Sequence, residues 1–181
     1  MTLFYIAQIF SFLSAVAAVV AMQCKSMRAI LVWQALGNFI IALSYFFLGG
    51  ISGGLICLFA VGQGAVMYLY NKNKIKPHAA VRIGFILVSA ACSAVTGYFS
   101  RSFAEIFSAV GAILYTISIA QQKPAVSRLI FFFNPICWMC YDIFTQAYVS
   151  FFVHLAILIS TAVGIVRMDI PGKKKAAHTE E

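Results

Sequence analysis

Charge is what this sequence has least of. Only 10% of its 181 residues are charged, whereas a soluble globular domain carries roughly 25%. Acids are especially scarce, with five Asp and Glu against 13 Lys and Arg. Hydrophobic residues make up 62% of the chain, and a soluble core of this size could not hide so much apolar surface. The composition therefore excludes an ordinary soluble domain and predicts a protein whose solvent is lipid.

Motifs of enzyme chemistry are also missing. The sequence has no His-x-x-x-His or Glu-x-x-His pair for a metal and no Gly-Lys-Ser phosphate loop. A haem held by two histidines would need both within the membrane, but His78 and His178 fall outside the apolar runs. We therefore expect no enzyme activity, no metal and no cofactor.

The cysteines do not form a recognisable framework. There are five of them, an odd number, mostly within apolar runs, so a set of disulfides is not expected. Cys137 and Cys140 form a Cys-x-x-Cys pair, but no thioredoxin-like sequence surrounds them. We interpret both as small, soft packing residues in a helix.

Seven apolar runs approach the roughly 20 residues that a helix needs to cross a bilayer. The first run has no Lys or Arg before it and no small-x-small cleavage site after it, so it is interpreted as a retained helix. The predicted spans cover residues 3–22, 29–48, 53–71, 83–99, 104–120, 129–148 and 149–168.

Basic residues mark alternate connections between these runs. Twelve of the 13 Lys and Arg lie on one side, and only Arg101 lies on the other. The positive-inside rule predicts that the rich side is cytoplasmic, so that the N-terminus lies outside and the C-terminus lies in the cytoplasm. Basic loops there would meet anionic lipid headgroups, so membrane lipids are expected partners and nucleic acid is not.

The two ends of the chain resemble one another. Asn38-x6-Tyr45 matches Asn134-x6-Tyr141, which predicts two three-helix units in parallel, an arrangement found among transporters. The predicted fold is an all-α membrane protein with seven transmembrane helices, in which a linker helix joins two three-helix bundles. The predicted parts are a first repeat (1–71), a basic loop with the linker helix (72–103), a second repeat (104–168) and a cytoplasmic tail (169–181).

Polar side chains share one face of the sixth run. Asn134, Trp138, Tyr141 and Asp142 recur at helical spacing, and polar groups in hydrocarbon usually face a bundle interior or a cavity. Asn134 could line a pocket or satisfy the carbonyl freed by Pro135. The indole of Trp138 could stack on a ring-shaped solute or pack against the next helix. Asp142 could bind a cation or proton, or reach water at the outer leaflet.

Other candidate binding residues lie on neighbouring runs. His154 could pair with Asp142 and relay protons near neutral pH, or bond a backbone carbonyl. Gln34 and Asn38 share a face of the second run, with Tyr45 near the same side. These three would contribute to a shared site from the first half.

The three-one-three layout resembles the SWEET and PQ-loop superfamily. Asn134-x3-Trp138-x2-Tyr141 is similar to the motif that supplies the pocket tryptophan of that group, and His154 stands where those transporters place a pocket asparagine. Within the superfamily, the chain resembles the bacterial YgjV-type inner membrane proteins. The residues that carry this likeness are Gln23-Cys-Lys-Ser26, Trp33-Gln-Ala-Leu-Gly37, Ala42-Leu-Ser-Tyr45, Leu48-Gly49, the glycine-rich stretch Gly49 to Gly54, and Arg128 ahead of Trp138.

The resemblance has departures that bear on function. Neither half has the Pro-Gln dipeptide, and the first half has Ala42 and Leu58 where the second has Trp138 and His154. A symmetric sugar clamp is therefore not expected. We predict a transporter or facilitator of an unidentified small polar solute, with a midplane cavity between the repeats. The alternative is a non-transporting scaffold or a sensor of lipids or partners, and formation of a homo-oligomer stays open.

Overall fold

The computed structural model describes residues 2–47, 51–100, 103–144 and 148–170. Throughout these ranges the regular structure is helical, without any strand. The helices are α1 (Thr2–Gln23), α2 (Met27–Phe47), α3 (Ile51–Lys72), α4 (Ala79–Ser100), α5 (Ala104–Ile119), α6 (Pro124–Phe131), α7 (Phe133–Phe144) and α8 (Tyr148–Gly164), which continues as a π-helical turn (Ile165–Asp169). The predicted all-helical class is confirmed.

Within the described residues, four stretches are long and apolar enough to cross a membrane. They are Leu3–Gln23, Met27–Phe47, Gly54–Lys72 and Ser150–Asp169. α4 and α5 contain shorter apolar stretches, Ala79–Cys92 and Ile106–Ile119. Large apolar side chains remain exposed along these helices, for example Phe12 at 69% and Leu87 at 63%, as expected where lipid covers the surface.

The predicted sixth span is not one continuous helix. α6 and α7 are separated at Phe132, which is a turn residue between them. The cause lies at Pro135, because proline has no N–H and its ring clashes with the carbonyl four residues earlier. That carbonyl belongs to Phe131, the last residue of α6. The described part of the sixth run therefore consists of two helices, and residues 145–147 lie outside the described ranges.

The last helix extends into the predicted tail. It continues through Ile170, and Asp169, the first residue of that tail, is bonded to a buried arginine. Residues 171–181, with the three consecutive lysines of the tail, lie outside the described residues.

Each half of the chain has a middle helix. α2 packs along α1 and α3, whereas α7 packs along α5 and α8. The two sets meet where α1 contacts α8 and where α3 contacts α5, and α4 packs on α5. These contacts place α2 and α7 where side chains from both halves can approach one another.

Hydrogen bonds join the helices within the apolar surroundings. Ser14 Oγ donates to the Gly37 carbonyl at 2.9 Å, and Ser44 Oγ donates to the Ala7 carbonyl at 2.8 Å, so α1 and α2 are bonded along their length. Gln63 Nε2 donates to Thr116 Oγ1 at 3.3 Å and connects α3 to α5. In a membrane such bonds hold helices together where apolar packing alone gives no preference.

The connections that carry basic residues lie at one end of the bundle. Gln23 Nε2 donates to the Ser160 carbonyl at 2.7 Å, which joins the end of α1 to α8. Asn71 Nδ2 donates to Gln122 Oε1 at 3.0 Å, which joins the end of α3 to the connection after α5. We call this the basic end, because the connections α1–α2, α3–α4 and α5–α6 and the π-helical turn, which all carry Lys or Arg, meet there.

Candidate functional site

Asn134 fixes α7 against α5. Its side chain is 6% exposed, and Nδ2 donates to the Gly111 carbonyl at 2.7 Å. The amide nitrogen thus bonds a neighbouring helix rather than the carbonyl that Pro135 frees in its own helix. Because the bond sets the distance between α5 and α7, Asn134 positions the residues that follow it on α7.

Trp138 lies one turn further along α7 and is packed against protein on several sides. A Cβ atom at Gly111 would lie 3.0 Å from the indole Nε1, so the absence of a side chain there makes room for the ring. His154 of α8 stacks on the indole with ring centroids 5.9 Å apart and 16° between the planes. Tyr141 meets it edge-on at 5.6 Å. One side of the indole is therefore covered by His154 in this arrangement.

Asp142 of α7 and His154 of α8 are within hydrogen-bonding distance of one another. His154 Nδ1 lies 2.6 Å from Asp142 Oδ2, with side-chain exposures of 22% for the histidine and 4% for the aspartate. The carboxylate contacts Nδ1 and so fixes the orientation of the imidazole ring, which leaves Nε2 as the ring nitrogen outside this contact. Two candidate residues predicted on separate helices are thus brought together.

Tyr45 of α2 also lies near Asp142. Its side chain is 40% exposed, and the phenol is close enough to Tyr141 and Asp142 to interact with them electrostatically. Tyr45 and Tyr141 are the matching tyrosines of the two Asn-x6-Tyr patterns. The structure therefore places corresponding residues of α2 and α7 near one ionisable pair.

Asn38 takes part in a separate network nearer the basic end. Its Nδ2 donates to the Gln34 carbonyl at 2.9 Å and to the Tyr115 hydroxyl at 3.0 Å. Tyr115 lies on α5 one turn after Gly111, so α5 contacts both middle helices through neighbouring turns. Gln34 is 5% exposed, and both atoms of its amide lack a hydrogen-bond partner among the described residues. An unpaired buried amide is uncommon and costly.

Two sets of contacts were not predicted from the sequence, one between the helices and one at the basic end. Tyr115 and Gly111 both lie in an apolar run of α5, and only the helical spacing of four between them suggested a shared face. Arg128 was interpreted as a loop charge but is 2% exposed. Its Nε and Nη2 donate to Asp169 at 2.9 and 2.5 Å, and Nη1 donates to the Cys24 carbonyl at 2.8 Å.

The described residues contain no group of three or more His, Cys, Asp or Glu that could hold a metal ion. All five cysteines are free thiols. The chemistry that this site offers is therefore that of an ionisable pair, an indole, phenols and amides between helices.

Apolar helices of membrane-spanning length, an exposed apolar surface and polar groups buried between helices define an integral membrane protein with several spans. The chain matches the model of the Imp-YgjV family, described as a bacterial inner membrane protein, over residues 5–170. It therefore belongs to that family and is an inner membrane protein. Neither the curated proteins nor the solved structures compared with it include a match, and placement in the SWEET and PQ-loop superfamily stays a prediction.

Proposed function

We propose that this protein is a transporter or facilitator of a small polar solute, with the polar groups between α2, α5, α7 and α8 along the solute path. The observation that supports it most is the contact of His154 with Asp142 at 2.6 Å between apolar helices. Ionisable groups at such positions are costly and generally mark ion, proton or substrate pathways. If Asp142 and His154 served only to pack the helices together, apolar side chains would do so equally well.

The proposed mechanism is alternating access between two halves, residues 1–71 and 104–168, with α4 as their linker. A similar arrangement in each half supports this division. Ser14 of α1 donates to the Gly37 carbonyl of α2, and Asn134 of α7 donates to the Gly111 carbonyl of α5, so a side-chain-to-backbone hydrogen bond joins the first and middle helices of each half. The interruption at Phe132 would allow α7 to move relative to α6, which Arg128 anchors at the basic end. The glycine-rich stretch Gly49 to Gly54, which lies partly outside the described residues, would give the chain similar freedom to move.

The proposed orientation, with the basic end in the cytoplasm, has a direct test. In a variant whose five cysteines are replaced by alanine, we expect Phe103→Cys to react with a membrane-impermeant maleimide from outside intact cells. Phe103 is 85% exposed and lies between α4 and α5, at the end opposite to the basic end. Lys76→Cys, exposed in the α3–α4 connection, should react only after the cells are opened. The reverse pattern would contradict the orientation.

Transport itself can be tested with a matched pair of histidine substitutions. A metabolite screen by thermal stability first identifies a solute that stabilises the protein, and uptake is then measured in liposomes. We expect Asp142→Asn and His154→Gln to reduce uptake by about tenfold or more, because a charge-assisted hydrogen bond contributes roughly 1.5–3 kcal/mol. His78→Gln is the control, since His78 is exposed in the α3–α4 connection and should leave uptake unchanged.

Trp138→Ala extends the same experiment to the indole. If Trp138 lines the path, its truncation alters solute affinity while the protein still inserts and folds. Absence of uptake for sugars, nucleosides and amino acids alike, by protein that is stable and correctly oriented, would count against a transporter.

A second candidate function is a non-transporting scaffold or sensor. One observation favours it: His154 and the backbone at Gly111 occupy the surroundings of the Trp138 indole, which would be the case in a permanently closed interface. A scaffold would gain no thermal stability from any small solute, and substitutions at Asp142 would change its stability or its partners rather than a flux.

A further inference from the structure

A cleft opens at the basic end, away from the site between the helices. Its volume is about 470 Å³, within the range of small-molecule sites. The charged side chains that line it are Lys25, Lys123, Arg128, Arg167 and Asp169. Four positive charges against one negative charge give this lining a formal net charge of +3.

The positive charges that matter are the ones that no described residue neutralises. Arg128 and Asp169 bond one another, so they contribute no net charge to the cleft. The side chains of Lys25, Lys123 and Arg167 are exposed and have neither a hydrogen bond nor an ion pair with any residue in the described ranges.

These three unpaired cations come from distant parts of the chain. Lys25 lies between α1 and α2, Lys123 immediately precedes α6, and Arg167 lies on the π-helical turn after α8. Folding brings them to one concave surface although like charges repel. Clefts lined by one sign of charge concentrate ions of the opposite sign, so an anion bound there would remove the repulsion.

The start of α6 adds donors to the same cleft. Lys123 is the N-cap residue and makes no side-chain cap, and Pro124 occupies the first turn. The amide group of Ala125, which also lines the cleft, therefore has no capping side chain to accept its hydrogen. Backbone N–H groups and the dipole at a helix start favour an anion. The basic side chains and Ala125, at the start of α6, thus line the same cleft.

We propose that this cleft binds a phosphate group, either as part of an anionic lipid headgroup or as a small soluble phosphate. Phosphate suits the donors present, because two ammonium groups and a guanidinium can each bond a different oxygen. The site is separate from the Asp142–His154 pair, so it does not depend on the protein being a transporter.

The test uses the purified full chain in detergent and measures thermal stability with two pairs of probes. One arm compares phosphatidylglycerol with phosphatidylcholine, and the other compares inorganic phosphate with chloride at equal ionic strength. The cleft variant is Lys25→Gln, Lys123→Gln and Arg167→Gln combined. The control variant removes three exposed charges at the same end, outside the cleft: Lys72→Gln, Lys76→Gln and Arg82→Gln.

If the cleft binds a headgroup, phosphatidylglycerol should raise the melting temperature of the wild type by about 2–4 °C or more over phosphatidylcholine. The cleft variant should lose this shift and the control variant should keep it. If the ligand is a soluble phosphate, the same pattern should appear with inorganic phosphate instead. If both variants lose the shift in melting temperature equally, the shift reflects the general surface charge and the proposal is overturned. A wild type whose melting temperature responds to neither probe would also overturn it.

If the combined variant fails to fold, single substitutions still test the proposal. Lys123→Gln and Arg167→Gln can be measured singly against Lys72→Gln, with lipid retention in native mass spectrometry as the second readout. Each cleft substitution should weaken retention of the anionic lipid by about fivefold, the effect of one basic residue near a charged headgroup. Retention equal to that of Lys72→Gln would contradict the assignment.

Discussion

Asp169→Leu is expected to lower the free energy of unfolding by about 3–5 kcal/mol, the range found when one partner of a buried ion pair is removed. Arg128 is 2% exposed, and two of its three side-chain nitrogens donate to the Asp169 carboxylate. Without that carboxylate, the guanidinium stays buried with only the Cys24 carbonyl as a partner. Unfolding of the purified protein in mixed micelles, followed by circular dichroism, gives the measurement.

The control is a double-substitution cycle. Arg128→Met together with Asp169→Leu removes both charges, and apolar side chains of similar length fill the same space. We expect the double variant to be more stable than Asp169→Leu alone, since no isolated charge remains buried. A double variant whose loss equals the sum of the two single losses would mean that the residues do not act as a pair.

Gly164→Ala is the second substitution with a large expected effect. A Cβ atom at Gly164 would lie 2.6 Å from the Met22 carbonyl oxygen, a distance that real Cβ contacts do not adopt. The opposing atom belongs to the backbone of α1, so it cannot rotate away as a side chain would. We expect a loss of about 1–3 kcal/mol or more, the usual cost of overpacking, measured in the same unfolding experiment.

Gly62→Ala is the matched control for that experiment. Gly62 is also a helical glycine, but a Cβ atom there would have no neighbour within 4 Å. Alanine is favoured over glycine in a helix interior by up to about 1 kcal/mol, so this variant should be as stable as the wild type or more stable. A similar loss at Gly62 and Gly164 would show that the close approach of α1 and α8 is not the cause.

The long apolar helices were predictable because the length and hydrophobicity of each run suffice to define a membrane-crossing helix. The predicted first helix covers residues 3–22, and the observed helix is Thr2–Gln23. The predicted second helix covers residues 29–48, and the observed helix is Met27–Phe47. The interruption at Phe132 was not predictable from hydrophobicity, since the run is apolar on both sides. Its cause is Pro135, which has no N–H group to donate to the carbonyl of Phe131, four residues earlier.

Within the candidate site, only residues that share one face of a single helix could be predicted from the sequence. The shared face of Asn134, Trp138 and Asp142 follows from spacing along α7. The partners across helices depend on packing that no local pattern encodes, which is why Tyr115 was missed. The partner of Arg128 was missed for another reason: a basic residue at the end of an apolar run is normally a loop charge, and its acid lies 41 residues later.

The unpaired amide of Gln34 bears on how readily the helices rearrange. Each buried amide group without a partner raises the free energy of the folded arrangement by about 1–3 kcal/mol. Any second conformation in which water, a solute or another side chain reaches this amide regains that free energy, whereas the packed arrangement does not. The equilibrium between two conformations depends on such differences, so the unpaired Gln34 amide would reduce the free-energy gap to any conformation in which it gains a partner.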